Sequence, residues 1–400
     1  MAAGSPSRPD RPIYLDHHAT TPLDERVLEA MRPYLETEFG NAASNTHVYG
    51  WRAEAAVEDA RERLAEMIGA KGPSEIVFTS GATESNNLAI LGLADAQPRR
   101  RHLITVETEH PSVLDTCRSL GKRGFEITEL KVDASGLVAA KEVAAAIRED
   151  TFLVSVMAAN NEIGVLQPIR EIAALCRDRG VTFHSDAAQA AGKMPLDVAS
   201  YGLDLASVSG HKIYGPKGIG LLRVRKTGKP RLTLEPRQYG GGHEGGLRSG
   251  TLPVASIVGF ARAFECCLEE RESEAIRLAS LRDRLKKELE AALPGRVVMN
   301  GDEARRLPGN LNLSFEGIDG ERLLADLAGL AVSSGSACSS ALPGPSHVLL
   351  ALGRPPALAK ASLRFGFGRG NTPEDVSQVV RRVVAAVHAQ LGDSTEPRCG

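Results

Sequence analysis

The sequence predicts an α/β protein: a large domain on a mainly parallel sheet, followed by a smaller α+β domain. Three observations carry this. Short β-branched runs alternate with helical patterns of about 10–15 residues through the middle of the chain, which is the pattern of βαβ units. The alternation stops near residue 260, where a long amphipathic stretch begins. A chain of 400 residues, 42% hydrophobic and 24% charged, has material for two large domains that bury their cores without disulfide staples.

Taken in order, residues 75–79 read as a strand and 84–96 as a helix, then 102–106 as a strand and 111–122 as a helix. Strands follow at 125–130, 151–157 and 181–184, with a helix over 169–179 between the last two. Residues 205–209 and 220–224 complete the series, so the large domain spans 15–260. Beyond it, Ile276, Leu278, Leu281, Leu285 and Leu289 fall near helical spacing in the stretch 261–292, and Pro294-Gly295 ends it. Strands at 296–299 and 310–315 and helices at 320–328 and 373–391 build the smaller domain, 261–400 together with 1–14.

A formal charge of −2, from 48 basic and 50 acidic side chains, supplies no field for nucleic acid or an anionic membrane, and neither partner is expected. No apolar run approaches the ~18–20 residues of a spanning helix. Residues 1–12 lack the apolar core of a secretory signal, so a cytoplasmic setting is expected. The cysteines at 117, 176, 266, 267, 338 and 399 show no C-x-x-C spacing, which argues against a zinc site or a disulfide framework. Most read as small buried hydrophobes; Cys338 is the exception, and no metal site is expected.

Several segments carry chemistry. Ser209-Gly-His211-Lys212 puts a lysine directly after a strand among small residues, where an amine of depressed pKa can form a Schiff base; a surface lysine is the plain alternative. Asp186, in His184-Ser-Asp-Ala-Ala-Gln189, ends a strand, where open α/β sheets bind ligands. It can pair with a protonated ring nitrogen, or simply cap a helix. Thr79-Ser-Gly-Ala82-Thr83 leads through a glycine turn to a helix N-terminus suited to a phosphate. His110, after the strand 102–106, can stack on an aromatic ring and move protons near neutral pH. Asn161 lies in a polar turn after a strand. Cys338 sits in Ser334-Gly-Ser-Ala-Cys-Ser-Ser, a run of small polar residues that suits a nucleophilic thiol better than a structural one. Arg364, in an apolar strand, needs a carboxylate or phosphate partner; a substrate carboxylate or a structural ion pair would serve equally.

In this order the segments resemble the cysteine desulfurases of the NifS/IscS type, within the class V pyridoxal-phosphate-dependent aminotransferases. The resemblance runs from Tyr14-Leu-Asp-His-His-Ala-Thr-Thr-Pro22 to about Gly370, and Ser209 to Gly218, Arg248-Ser-Gly-Thr-Leu-Pro253 and Ser334 to Cys338 are its most specific parts. It implies a fold-type I architecture with a seven-stranded sheet, and pyridoxal 5'-phosphate as cofactor. It implies that Lys212 binds the cofactor covalently and Asp186 pairs with the pyridine nitrogen. Gln189 would meet the ring hydroxyl and His110 the ring face. Ala82, Thr83, Ser209 and His211 match the phosphate cradle, and Thr251 a phosphate contact from a second subunit, hence a homodimer. Asn161, Arg364 and Asn41 match the substrate-carboxylate clamp. L-cysteine would become alanine while Cys338 takes the sulfur as a persulfide, on a long mobile loop, for delivery to an acceptor such as an iron–sulfur scaffold or to tRNA thiolation. Rival readings are a selenocysteine lyase, an aminotransferase or lyase in which Cys338 is structural, and a silent scaffold subunit.

Overall fold

The computed structural model describes residues 11–228, 232–334 and 344–392. Strand β1 (Ile13–Tyr14) is followed by helices α1 (Glu25–Glu36) and α2 (Val48–Met67). Then come β2 (Ile76–Thr79), α3 (Ala82–Ala96), β3 (His102–Val106), α4 (Pro111–Gly121), β4 (Glu126–Leu130), α5 (Ala140–Ala146) and β5 (Thr151–Ser155). Helix α6 (Ile169–Asp178), β6 (Thr182–Asp186), β7 (Leu205–Ser209) and β8 (Gly220–Val224) complete this part. Strands β2 to β8 form one seven-stranded sheet in the order β2-β8-β7-β6-β5-β3-β4. Only β8 runs against its neighbours β2 and β7. Strands β2, β3, β5, β7 and β8 are buried at every residue, as helices on both faces of a parallel sheet require, and so they read as continuous apolar runs. The edge strand β4 instead exposes Glu126 and Glu129, charges that discourage pairing with another edge.

The order reverses beside β3, whose neighbours are β4 and β5. Chain leaving the carboxyl ends of β3 and β5 therefore diverges and opens a crevice there, which is where open α/β sheets place ligands. His110 follows β3 and Asn161 follows β5 into this crevice, while β6 and β7 bring Asp186 and Ser209 to the same edge.

Helix α7 (Val254–Ala292) is one continuous element of 39 residues, and the expected domain limit at 260 falls inside it. Its first half buries Ile257, Phe260, Phe264 and Cys267 against the large sheet's core. Its second half buries Leu281, Leu285 and Leu289 in a second core with Leu15, Leu313, Phe315, Phe365 and Val383. That second core covers a three-stranded sheet of β9 (Val297–Met299), β10 (Asn310–Phe315) and, beyond α8 (Gly320–Asp326), β11 (Leu330–Ala331), α9 (His347–Ala351) and α10 (Pro356–Lys360), the strand β12 (Ser362–Gly366). Helix α11 (Pro373–Leu391) closes it, started by a capping box between Thr372 and Asp375. Strand β1 pairs with β11, which ties the chain's beginning to this second unit.

Helices α1 and α2 have no counterpart in the sequence expectations. The buried face of α2 is made mainly of small residues, Gly50, Ala53, Val57, Ala60 and Ala65, so its apolar periodicity is weak. Helix α1 buries only Val27 and Met31 and carries Pro33.

Candidate active site

A cleft of about 530 Å³ lies at the carboxyl ends of β5, β6 and β7, and Ala82, Thr83, His110, Asn161, Asp186, Gln189, Ser209, His211 and Lys212 all line it. Its phosphate-sized end is the turn from β2 into α3. Gly81 there has φ +149°, and a Cβ on it would face Ser209 Oγ at 3.6 Å, inside the space the turn encloses. No side chain caps α3, so the N–H groups of Ala82 and Thr83 point outward from the positive end of the helix dipole.

At the far end Asp186 is buried. Its Oδ2 accepts from Asn86 Nδ2 at 2.7 Å and its Oδ1 from the Ala188 N–H at 2.9 Å. Each oxygen keeps lone pairs for a further donor. Asn86 Nδ2 also donates to Ser112 Oγ at 2.9 Å, and Ser112 Oγ lies 2.8 Å from His110 Nδ1. The Ser112 N–H donates to the same Nδ1 at 3.1 Å, so Nδ1 is the unprotonated nitrogen and the His110 proton sits on Nε2. Burial pushes the His110 pKa below the ordinary range; the charge of Asp186 pulls it back up, and that of Lys212 adds a smaller push down. Beneath Asp186, His184 bridges Ser155 Oγ at 2.8 Å and Ser207 Oγ at 3.0 Å, and burial lowers its pKa to about 4. The layer under the carboxylate is therefore neutral and fully bonded.

Lys212 closes the cleft. Its Nζ donates to the carbonyl oxygens of His18 at 2.5 Å and Ala19 at 2.7 Å. His211 holds Thr20 Oγ1 at 3.2 Å; burial and then Lys212 lower its pKa to about 4.

The expected clamp is only partly assembled. Asn161 lines the cleft, but Arg364 stands behind it, wholly buried, with Nη1 on Asn161 O at 2.8 Å and Nη2 on Asp16 Oδ1 at 2.7 Å. The carboxylate partner of Arg364 is thus Asp16 of the chain itself, while its Nε has no partner among the described residues. Asn41 and Thr251 are exposed and do not line the cleft. Cys338 lies outside the described residues, as does the greater part of the loop expected around it. The described chain on either side converges on the clamp: Ser333 is bridged to Arg364, and Ser346 Oγ donates to Glu162. Burial raises the Glu162 pKa to about 7.

Asn86, Ser112, Glu109, Glu162 and Lys193 were not anticipated from the sequence. Asn86 had a signal, since it follows Ala82 by one helical turn, and Ser112 follows His110 by two residues. Glu109 had none. It is completely buried, burial holds its carboxyl well above the usual range, and one oxygen accepts the Met157 N–H.

The groups present fit pyridoxal 5'-phosphate: a helix N-terminus for its phosphate, a carboxylate for its ring nitrogen, an imidazole in the wall, and a lysine amine for its aldehyde. The fold and this donor set define a fold-type I pyridoxal-phosphate enzyme. The chain belongs to the class V aminotransferase family, whose model matches residues 13–379. It is 54% identical over 377 residues, 94% of this chain and 92% of the relative, to "Cysteine desulfurase IscS" of Anaeromyxobacter sp. (strain Fw109-5). Among solved structures it is similar to "NIFS-LIKE PROTEIN", with TM-score 0.87, 36% identity and coverage of 94% of this chain and 100% of the other. It is also similar to "SspA in complex with cysteine", with TM-score 0.78, 38% identity and coverage of 89% and 98%. Among the described residues no cluster suits a metal ion, and no helix is long and apolar enough to cross a membrane.

Proposed function

We propose that this chain is a cysteine desulfurase, which converts L-cysteine to L-alanine and leaves the sulfur on Cys338 as a persulfide. The observation that carries the reading is the single cleft in which Lys212, Asp186, His110 and the N-terminus of α3 meet, in a chain whose relatives bear that name. Bound there, the cofactor supplies an electron sink for the substrate's Cα.

The protein's part is orientation and proton transfer. Asn161 lines the cleft on the side of the substrate carboxylate, and Arg364, paired with Asp16 and bonded to the Asn161 carbonyl, fixes it there. Lys212 would hold the cofactor, and its amine, when free, is placed to take the proton from the substrate Cα. His110, neutral with its proton on Nε2, offers that N–H as a hydrogen bond to the substrate sulfur, which keeps its own proton. The Cys338 thiolate then attacks the substrate sulfur: an S–S bond forms, the substrate C–S bond breaks, and protonation at carbon yields alanine. Cysteine and enzyme thiol become alanine and enzyme persulfide, so atoms and electrons balance without an external oxidant.

The persulfide sulfur passes to an acceptor protein of iron–sulfur cluster assembly, a reading supported by the IscS name of the relative. The enzyme works as a homodimer. The resemblance supports this, since Thr251, exposed and outside its own cleft, matches a phosphate contact made from a second subunit. The test is incubation with L-cysteine, scoring alanine and a mapped persulfide. Wild type should form both, Lys212→Ala neither, and Cys338→Ser should lose the persulfide and turnover. Undiminished alanine from Cys338→Ser would overturn the reading. A monomer in sedimentation that retains full cofactor affinity would overturn the dimer.

A further inference from the structure

A second lysine lies behind the cleft, beside Gln189. Lys193 Nζ donates to Gln189 Oε1 at 3.0 Å, and Gln189 Nε2 donates to His18 O at 2.9 Å. An ammonium only donates and a carbonyl only accepts, so these contacts settle which end of the amide is oxygen. His18 Nδ1 lies 3.1 Å from the same Oε1. One hydrogen on Gln189 Nε2 is used by His18 O, and the other belongs to a side chain that lines the cleft. Lys212 Nζ meets that same His18 carbonyl, so one backbone oxygen links the two lysines through Gln189.

Lys193 itself is not part of the cleft wall. It borders a separate cavity of about 60 Å³ with His17, Tyr214, Cys267 and Arg369. An amide whose oxygen accepts from a cation is polarised, and its N–H becomes a stronger donor.

We infer that Lys193 is a positioning residue: it holds Gln189 with an N–H toward the cleft and relays positive charge through that amide to the cofactor's ring oxygen. The inference rests on the pyridoxal-phosphate reading. Burial, then Lys212, lower the Lys193 pKa to about 7, with Arg364 lowering it further and Cys267 raising it. Across the small cavity it faces the carboxylates Glu270 and Glu274, the cations Arg271 and Arg369, the imidazoles His17 and His18 and the Tyr214 phenol. None of these is substituted, so a rise common to Lys193→Met and Lys193→Gln and absent from Lys193→Arg reports on the Lys193 charge.

The experiment titrates the visible absorbance band of the cofactor-loaded protein with pH. A cation near the ring favours the form that has lost a proton, so removing it raises the midpoint. Lys193→Met should move the midpoint up by about one to two pH units, the size expected of one charge about 6–12 Å away at an effective dielectric near 20. Lys193→Arg, which keeps a cation there, should not raise the midpoint. In a Gln189→Leu background, Lys193→Met should shift it by less than half as much, since the part carried through the amide is gone. Lys193→Gln, polar and uncharged, replaces the Met variant if that one does not fold, with the same expected rise. An unmoved midpoint in the uncharged variant, or an additive shift in the double variant, overturns the inference. If wild type forms no visible band, the cofactor reading fails first and takes the inference with it.

Discussion

Asn86→Leu separates cofactor binding from folding. Asn86 is completely buried, with Nδ2 on Asp186 Oδ2 at 2.7 Å and on Ser112 Oγ at 2.9 Å, while its Oδ1 has no partner among the described residues. Leucine has nearly the same volume and no polar atoms. The change removes one hydrogen bond to a charged group, worth about 1.5–3 kcal/mol, and one to Ser112 Oγ, worth about 0.5–1.5 kcal/mol; it also removes one unsatisfied buried acceptor, which costs about 1–3 kcal/mol. In folding these largely offset, leaving a cost of about 1 kcal/mol. They do not cancel at the site, because Asp186 keeps only the Ala188 N–H to aim its carboxylate. At about 1.4 kcal/mol per decade, the expected loss is about 10-fold in pyridoxal-phosphate affinity and in kcat/KM for L-cysteine, with about 100-fold as the upper bound. Apo-protein titrated with cofactor, alanine production and thermal melting measure the three quantities. A variant that binds cofactor and turns over within twofold of wild type would refute the reasoning. So would one whose affinity falls only in step with its stability.

Other expectations follow from the same geometry. Glu75→Gln should cost about 3–5 kcal/mol of stability in urea unfolding, since Arg223 pairs with Glu75 at 2.7 Å with both side chains almost fully buried; a loss under 1 kcal/mol would contradict it. Gly220→Ala should weaken pyridoxal-phosphate binding at least tenfold, because its Cβ would meet Val208 O at 2.5 Å and Gly81 Cα at 2.7 Å, pushing β8 off the phosphate turn. Unchanged cofactor affinity would remove Gly81 from that role. His17, His184 and His211 have pKa values lowered to about 4 by burial, whereas in the unfolded chain they titrate near 6.5. The unfolded state therefore binds more protons between pH 6.5 and about 4, and stability falls as pH falls through that window. Thermal melts at pH 7, 6 and 5 should show a steady decline, and a flat profile would speak against buried neutral imidazoles.

The strand and helix series between residues 75 and 224 was legible because each signal is local: an apolar run, a turn residue, a helical period. The antiparallel direction of β8 was not, since it depends on where chain returns between β7 and β2. Helix α2 was missed because small residues pack well but leave little apolar pattern, and α1 because it buries only Val27 and Met31 and carries Pro33. Lys212, Asp186, His110 and the Ala82–Thr83 turn were legible for the same local reason, as each follows a strand directly.

What the sequence determined by itself is the inventory: the reacting amine, the carboxylate, the imidazole, the helix start and the order in which strands deliver them. Only the tertiary structure decided the pairings. Asn86 and Asp186 are 100 residues apart, and Arg364 and Asp16 are 348 apart. Such contacts depend on which faces the two cores bury together, and a local period cannot encode that. Arg364 shows the difference plainly: its position in an apolar strand demanded an anion, but either a ligand or the chain could supply one, and packing brought Asp16 to it.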